Sequence, residues 1–169
     1  MSTIIPLPQP VQKAITELLA APSANGWMKR AQALHLRYMQ QERNSQQRHV
    51  SEALDALAYL GLRAPATYAQ IWGAAAAVGE IVPHWQPTTL LDLGCGPGSG
   101  LWALTELFPS LSQATGIDQS AHFLTLGRQI LSASQAALAV TWQQADLLHH
   151  LQQTETVYDV VLLANVLNE

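Results

Sequence analysis

Leu90-Leu-Asp-Leu-Gly-Cys-Gly-Pro-Gly-Ser-Gly-Leu-Trp102 is the stretch on which the fold turns. An apolar run bounded by an acid and a glycine predicts a buried strand over Thr89 to Leu93, with Asp92 at its end. Glycines at 94, 96, 98 and 100 then let the backbone turn sharply and come close to a bound group before a helix begins near Gly100. A plain strand-to-helix turn needs one or two glycines, so four in alternation behind a strand-terminal acid point to a ligand cradle of the nucleotide-binding type.

Working outward from that loop, short apolar runs alternate with helical segments, the pattern of successive beta-alpha units. Strands are expected at Thr89–Leu93, Ala114–Ile117, Ala139–Gln143 and Tyr158–Leu163, with helices over Gly100–Phe108 and Ser120–Ser134. Upstream, helices are expected over Val11–Ala20, Gly26 to about Glu42, Val50 to about Leu60 with Gly61 as its stop, and Pro65 to about Val82. The expected fold class is therefore α/β: a helical N-terminal part followed by a Rossmann-like parallel sheet of about four strands, in the order 3-2-1-4 that is usual for such sheets.

The 169 residues are 49% apolar and 12% charged, enough to bury a core and too poorly charged for a solvated disordered chain. Charge divides the chain near Ala64. Residues 1–63 hold seven basic side chains against four acids, whereas residues 64–169 hold Arg128 alone against eight acids. The expected division is thus a basic helical region over 1–63 and an acidic sheet-containing region over 64–169. No lysine follows Lys29, which removes a phosphate-loop lysine and a lysine Schiff base from the second region and sets aside kinase and ATPase chemistry. Cys95 is the only cysteine, so neither an internal disulfide nor a cysteine metal cluster can form within these residues. No metal site is expected. Without a leader-like start or a run of 18 apolar residues, the expectation is no membrane association and a cytoplasmic protein.

The dinucleotide pattern GxGxxG fails in the frames that start at Gly94 and Gly96, and only a relaxed frame from Gly98 to Ala103 fits. The spacing Asp92-x-Gly94-x-Gly96-x-Gly98 instead resembles the first motif of class I S-adenosylmethionine-dependent methyltransferases. Asp118 ends the second strand about twenty residues after the loop, where an acid can accept hydrogen bonds from ribose hydroxyls, or alternatively cap the next helix. The resemblance implies that Asp146, closing the third strand, meets an adenine amino group. Asn165, at the end of the fourth strand, would face the Gly94 loop and meet the methionine end of the cofactor or the substrate, unless it is a simple turn residue. Cys95, lying inside the loop as a small packing residue, joins Gln119 and Leu147 to complete the expected S-adenosylmethionine-binding set: Asp92, Gly94, Cys95, Gly96, Gly98, Asp118, Gln119, Asp146, Leu147 and Asn165. No catalytic base can be singled out. His122, His149 and His150, like His35 and His49 in the helical part, are expected to be surface residues.

Arg63-Ala-Pro-Ala-Thr-Tyr68, the glycine loop with Trp102, and the closing Tyr158-Asp-Val-Val-Leu-Leu-Ala-Asn-Val-Leu-Asn-Glu169 together resemble the mitochondrial small-ribosomal-subunit methyltransferase-like proteins and their bacterial relatives. The resemblance spans roughly residues 50 to 169. It implies action on ribosomal RNA or in small-subunit assembly, with Lys29, Arg30, Arg37, Arg43 and Arg48 of the basic part as candidate phosphate contacts. Two rival readings are a non-catalytic assembly factor that keeps the cofactor cradle and a small-molecule methyltransferase whose helices form a lid. Some members of the family carry a later cysteine set for metal or iron-sulfur binding, for which these residues offer no counterpart. A complete class I core has seven strands, so the chain is expected to lack strands five to seven, to be inactive alone, and to self-associate through the free edge of its Val-Val-Leu-Leu strand.

Overall fold

In the computed structural model the described residues are 5–40, 52–134 and 136–166, with the backbone alone for 34–40. Arg43, Arg48 and His49, the start of the third helix at Val50, the end of the second near Glu42, and Asn168 with Glu169 lie outside them. The elements run α1 (Gln9–Ala20), a short 3-10 turn (Pro22–Ala24), α2 (Trp27–Gln40), α3 (Ala53–Leu62), α4 (Ala64–Ile81), β1 (Thr89–Leu93), α5 (Ser99–Leu107), β2 (Gln113–Asp118), α6 (Ala121–Ser134), β3 (Ala139–Gln144), α7 (Leu147–Gln153) and β4 (Val160–Leu163).

The four strands are all parallel, as the alternation of apolar runs and helices predicts, and lie in the expected order β3-β2-β1-β4. Leu91 stands opposite Thr115 and Val161, and Asp92 opposite Gly116 and Leu162, so the carboxyl ends of β1 and β2 open side by side. One sheet face, with Leu90, Ala114, Val140, Val160 and Leu162, packs against α4, α5 and α6. Val11, Ala14 and Ile15 of α1 and Ala56, Leu57 and Leu60 of α3 belong to that same core, so the basic helical region and the sheet share one apolar interior. Leu91, Leu93 and Ile117 form a smaller cluster on the other face with Ala145, Leu147 and Tyr158. There β4 leaves Val161 60% and Leu163 43% exposed, and among the described residues its outer edge pairs with no strand.

Three local differences from the sequence-based elements have physical causes. α3 runs through Gly61 to Leu62 because Gly61 is a packing residue and not a helix stop: a Cβ there would lie 2.6 Å from the Trp27 ring. Arg63 alone then separates α3 from α4, whose first turn holds Pro65, a position that needs no amide donor. α7 is an additional helix that the sequence reading did not contain. Its start is set by Asp146, whose side chain accepts from the His149 N–H at 3.0 Å. β4 begins at Val160, two residues late, because the preceding residues bond sideways. Tyr158 Oη donates to Thr115 Oγ1 (3.1 Å), and Asp159 Oδ2 accepts from the amides of Thr88 (2.7 Å) and Thr89 (3.1 Å) and from the Thr88 hydroxyl. Those donors hold the Asp159 carboxyl below the usual range.

Candidate functional site

The loop after β1 is held by the end of β2. Ile117 carbonyl accepts from the N–H groups of Gly94 (2.8 Å) and Cys95 (2.9 Å), and Gly98 N–H donates back to Cys95 carbonyl (2.9 Å). Gly96 and Gly98 have φ of 53° and 103°, which a side chain would strain, and Gly98 is the residue from which α5 starts. Asp118 completes the grip. Its Oδ2 accepts from Gly96 N–H and its Oδ1 from Ser120 N–H, both at 2.8 Å. One carboxylate thus braces the loop and the entry to α6, and each oxygen keeps a lone pair for another donor. Ahead of Gly96 the space is open: a Cβ there meets nothing within 4 Å.

Asp92 lies beneath this loop and is 2% exposed. Its Oδ2 is buried with no hydrogen-bond partner among the described residues, and a Cβ on Gly100 would lie 2.6 Å from it. Burial, and secondarily the Asp118 charge, pushes the Asp92 carboxyl up to about 7. Burial also raises Asp118, against the two amides that hold it down. Cys95 is buried, and burial first, then the Asp92 and Asp118 charges, pushes its thiol far up, so it stays neutral and is no nucleophile.

The remaining expected residues flank this centre. Gln119 Nε2 donates to Asp146 Oδ2 at 3.1 Å, while Gln144 Nε2 donates to the Gln119 carbonyl at 3.1 Å, joining the ends of β2 and β3. Asp146 is exposed and caps α7, and Leu147 packs on the smaller core cluster beside Ile117. Asn165 is exposed with φ of 59°, its Nδ2 donating to Gln70 Oε1 of α4 at 3.5 Å, and the neighbouring Val166 presses on Gly94. Asp92, Gly94, Cys95, Gly96, Gly98 and Asp118 therefore form one constellation, with the Gln119–Asp146 pair on one side and Asn165 on the other. His122 and His149 are exposed, as the sequence suggests; His150 is half-buried, its Nε2 enclosed without a hydrogen-bond partner among the described residues.

Two supports of the site were not anticipated from the sequence. The Trp142 indole of β3 lies against Gly98, Gly116 and Gly127 at once, filling the space beneath the loop. A Cβ on Gly127 would stand 2.5 Å from that ring and 3.1 Å from the Pro97 carbonyl. Alanine normally improves a helix by about 1 kcal/mol over glycine. Here overpacking of about 1–3 kcal/mol opposes that gain. Gly127→Ala is expected to lower stability by about 1 kcal/mol in urea unfolding, with a rise in stability showing that the indole can move aside. The second support gives Arg63-Ala-Pro-Ala-Thr-Tyr68 a structural task. Ala64 carbonyl accepts from Ser99 Oγ (3.3 Å), and the buried Tyr68 hydroxyl donates to Glu106 Oε2 (2.6 Å), so α4 braces the helix that leaves the glycine loop.

The basic region differs from its expected role at one residue. Arg30 is half-buried and engaged by its own chain: Nε donates to the fully buried Asp55 (2.6 Å) and a terminal nitrogen to Glu52 (2.8 Å), which ties α2 to α3. Among the described residues no helix is long and apolar enough to cross a membrane.

A protein described as trans-aconitate 2-methyltransferase from Azoarcus sp. (strain BH72) is 42% identical over 66 residues, which cover 39% of this chain and 23% of that protein. Among solved structures, the plantazolicin methyltransferase BpumL in complex with SAH aligns at a TM-score of 0.47 and 20% identity, over 89% of this chain and 49% of that one. A class I S-adenosylmethionine-dependent methyltransferase from Listeria monocytogenes aligns at a TM-score of 0.47 and 14% identity, over 90% of this chain and 55% of that one. The chain thus spans about half the length of these solved methyltransferases. Residues 53–169, well over half of the chain, match the family described as mitochondrial small ribosomal subunit Rsm22, and the chain belongs to that family.

Proposed function

We propose that this chain carries the S-adenosylmethionine-binding elements of a methyltransferase that acts on the RNA of the small ribosomal subunit. The observation that carries this reading is the open space before Gly96, with the loop braced by the Asp118 carboxylate and underlain by the unpartnered Asp92 Oδ2. When bound, S-adenosylmethionine supplies an electrophilic methyl group on a positively charged sulfur. Gly94, Gly96 and Gly98 let the backbone approach the nucleoside, with Cys95 as a neutral filler beneath. Asp118 accepts the ribose hydroxyls on its free lone pairs while holding the loop. The Gln119–Asp146 pair and Leu147 border the base, and Asn165 borders the methionine end. Methyl transfer by direct displacement asks the protein mainly for alignment and exclusion of water, so no covalent nucleophile is needed. Residues 64–169 form the cofactor-holding region in this reading.

The basic region 1–63 supplies the RNA side. Lys29, Arg37, Arg43 and Arg48 contact phosphates, whereas Arg30 keeps its place in the α2–α3 ion pair. The family match supports the ribosomal assignment, and the lone, buried thiol of Cys95 suits a reducing compartment such as the cytoplasm. The test is a salt titration of binding to purified small-subunit RNA, with labelled methyl transfer from S-adenosylmethionine followed alongside in a form of the protein that carries a complete seven-strand core. Affinity falling steeply with salt and label entering the RNA are expected. Salt-insensitive binding overturns the phosphate contacts. RNA binding with no label transferred favours a non-catalytic assembly factor. The trans-aconitate methyltransferase similarity supports a second reading, a small-molecule acceptor, which label entering trans-aconitate in place of RNA would select.

A further inference from the structure

The charges around Asp92 are one-sided. From β2 it faces the Asp118 carboxylate and from the loop the Cys95 thiol, while α5 and β4 bring Gly100 and Leu162, which carry no charge. Arg128 is the only arginine or lysine in residues 64–169, and from α6 its guanidinium donates to the Trp142 carbonyl at 3.3 Å. Among the described residues the charge that raises Asp92 is that of Asp118, while the positive charge of Arg128 reaches the neighbouring Cys95 thiol. A buried carboxyl with an orphaned oxygen and no counter-cation beside it among the described residues lowers its free energy most when a positive charge enters the cradle.

We propose that Asp92 is the charge selector of the cradle: it favours a ligand bearing a cationic sulfonium over the neutral thioether left when the methyl group departs, so the reactant is held and the product released. This rests on the nucleoside reading given above. The preference depends on pH, because Asp92 is ordinarily held protonated by its surroundings up to about neutrality. On uptake of the cationic ligand the Asp92 O–H bond breaks, its electron pair stays on the carboxylate and the proton passes to solvent. Transfer of the methyl group removes the positive charge, and Asp92 regains a proton from solvent as the thioether leaves. A unit charge about 10 Å from a carboxylate, at an effective dielectric near 20, changes its proton affinity by roughly tenfold.

The test compares S-adenosylmethionine with S-adenosylhomocysteine, which share every group but the methyl and its charge. Isothermal titration of the full chain between pH 5.5 and 7.5 should show the affinity ratio rising toward S-adenosylmethionine by up to about tenfold. In Asp92→Asn that ratio should stay level. A second readout needs no variant: titrations at pH 6.5 in two buffers of different ionisation enthalpy should show more protons released by S-adenosylmethionine than by S-adenosylhomocysteine. A constant ratio, an equal rise in Asp92→Asn, or equal proton release overturns the selector while leaving the cradle in place. Failure of both ligands to bind overturns the nucleoside reading and the selector together.

Discussion

Gly96→Leu should leave the fold standing and remove S-adenosylmethionine binding. Leucine keeps the backbone N–H, so the 2.8 Å bond to Asp118 Oδ2 survives the change. The cost to stability is the left-handed backbone at φ of 53°, about 1–2 kcal/mol for a residue with a Cβ. The Cβ itself meets nothing within 4 Å. What the new side chain does occupy is the open space before the loop, where the nucleoside is proposed to sit. A loss of about 100-fold in affinity, roughly 2.7 kcal/mol, is expected from titration calorimetry, with the cooperative unfolding transition retained. Unchanged affinity in a folded Gly96→Leu would place the ligand elsewhere.

Asp92→Asn should change how stability depends on pH. Asp92 is raised in the folded chain from 3.8 to about 7, so between these values the folded state binds more protons than the unfolded one. Its favourable contribution is complete below the unfolded value and is lost as pH rises through about 7. Between pH 5 and pH 8 the loss amounts to about 2–3 kcal/mol. Asp118, also raised by burial, adds a slope of the same sign that the variant retains, while Asp159, being lowered, contributes its change only at more acidic pH. The stability of Asp92→Asn relative to the parent, from urea unfolding at each pH, should therefore rise by about 2–3 kcal/mol from pH 5 to pH 8. Parallel profiles would mean that Asp92 is hydrated or paired in solution.

What could be read from the sequence, and what could not, divides by range. The strands follow from local apolar runs such as Leu90–Leu93 and Val160–Leu163 and from the helices between them, because strand and helix periodicities are local properties, whereas their order is the one usual for a doubly wound sheet. The glycine loop was legible for the same reason: its φ angles and its close backbone approaches demand glycine at fixed spacing. Trp142 was not, since nothing near it in sequence shows that it will lie on Gly98, Gly116 and Gly127, which come from three separate elements. Arg30 looked like a free cation because its partners Glu52 and Asp55 lie more than 20 residues away. Gly61 resembled a helix stop because a glycine required by a neighbouring tryptophan carries the same local signal. α7 is only seven residues long, too short for a helical period to stand out, and its one local mark, Asp146, serves a ligand reading equally well.

Titration of the chain with S-adenosylmethionine, in parallel with Asp118→Ala, tests the cradle most directly. Asp118 holds the loop at Gly96, starts α6 at Ser120 and is the proposed acceptor of the ribose, so its loss acts on binding three ways. The expected result is saturable one-to-one binding by the parent and an affinity about 100-fold lower in a variant that still unfolds cooperatively. Binding by Asp118→Ala at parental affinity, or none by the parent at millimolar ligand, would contradict it.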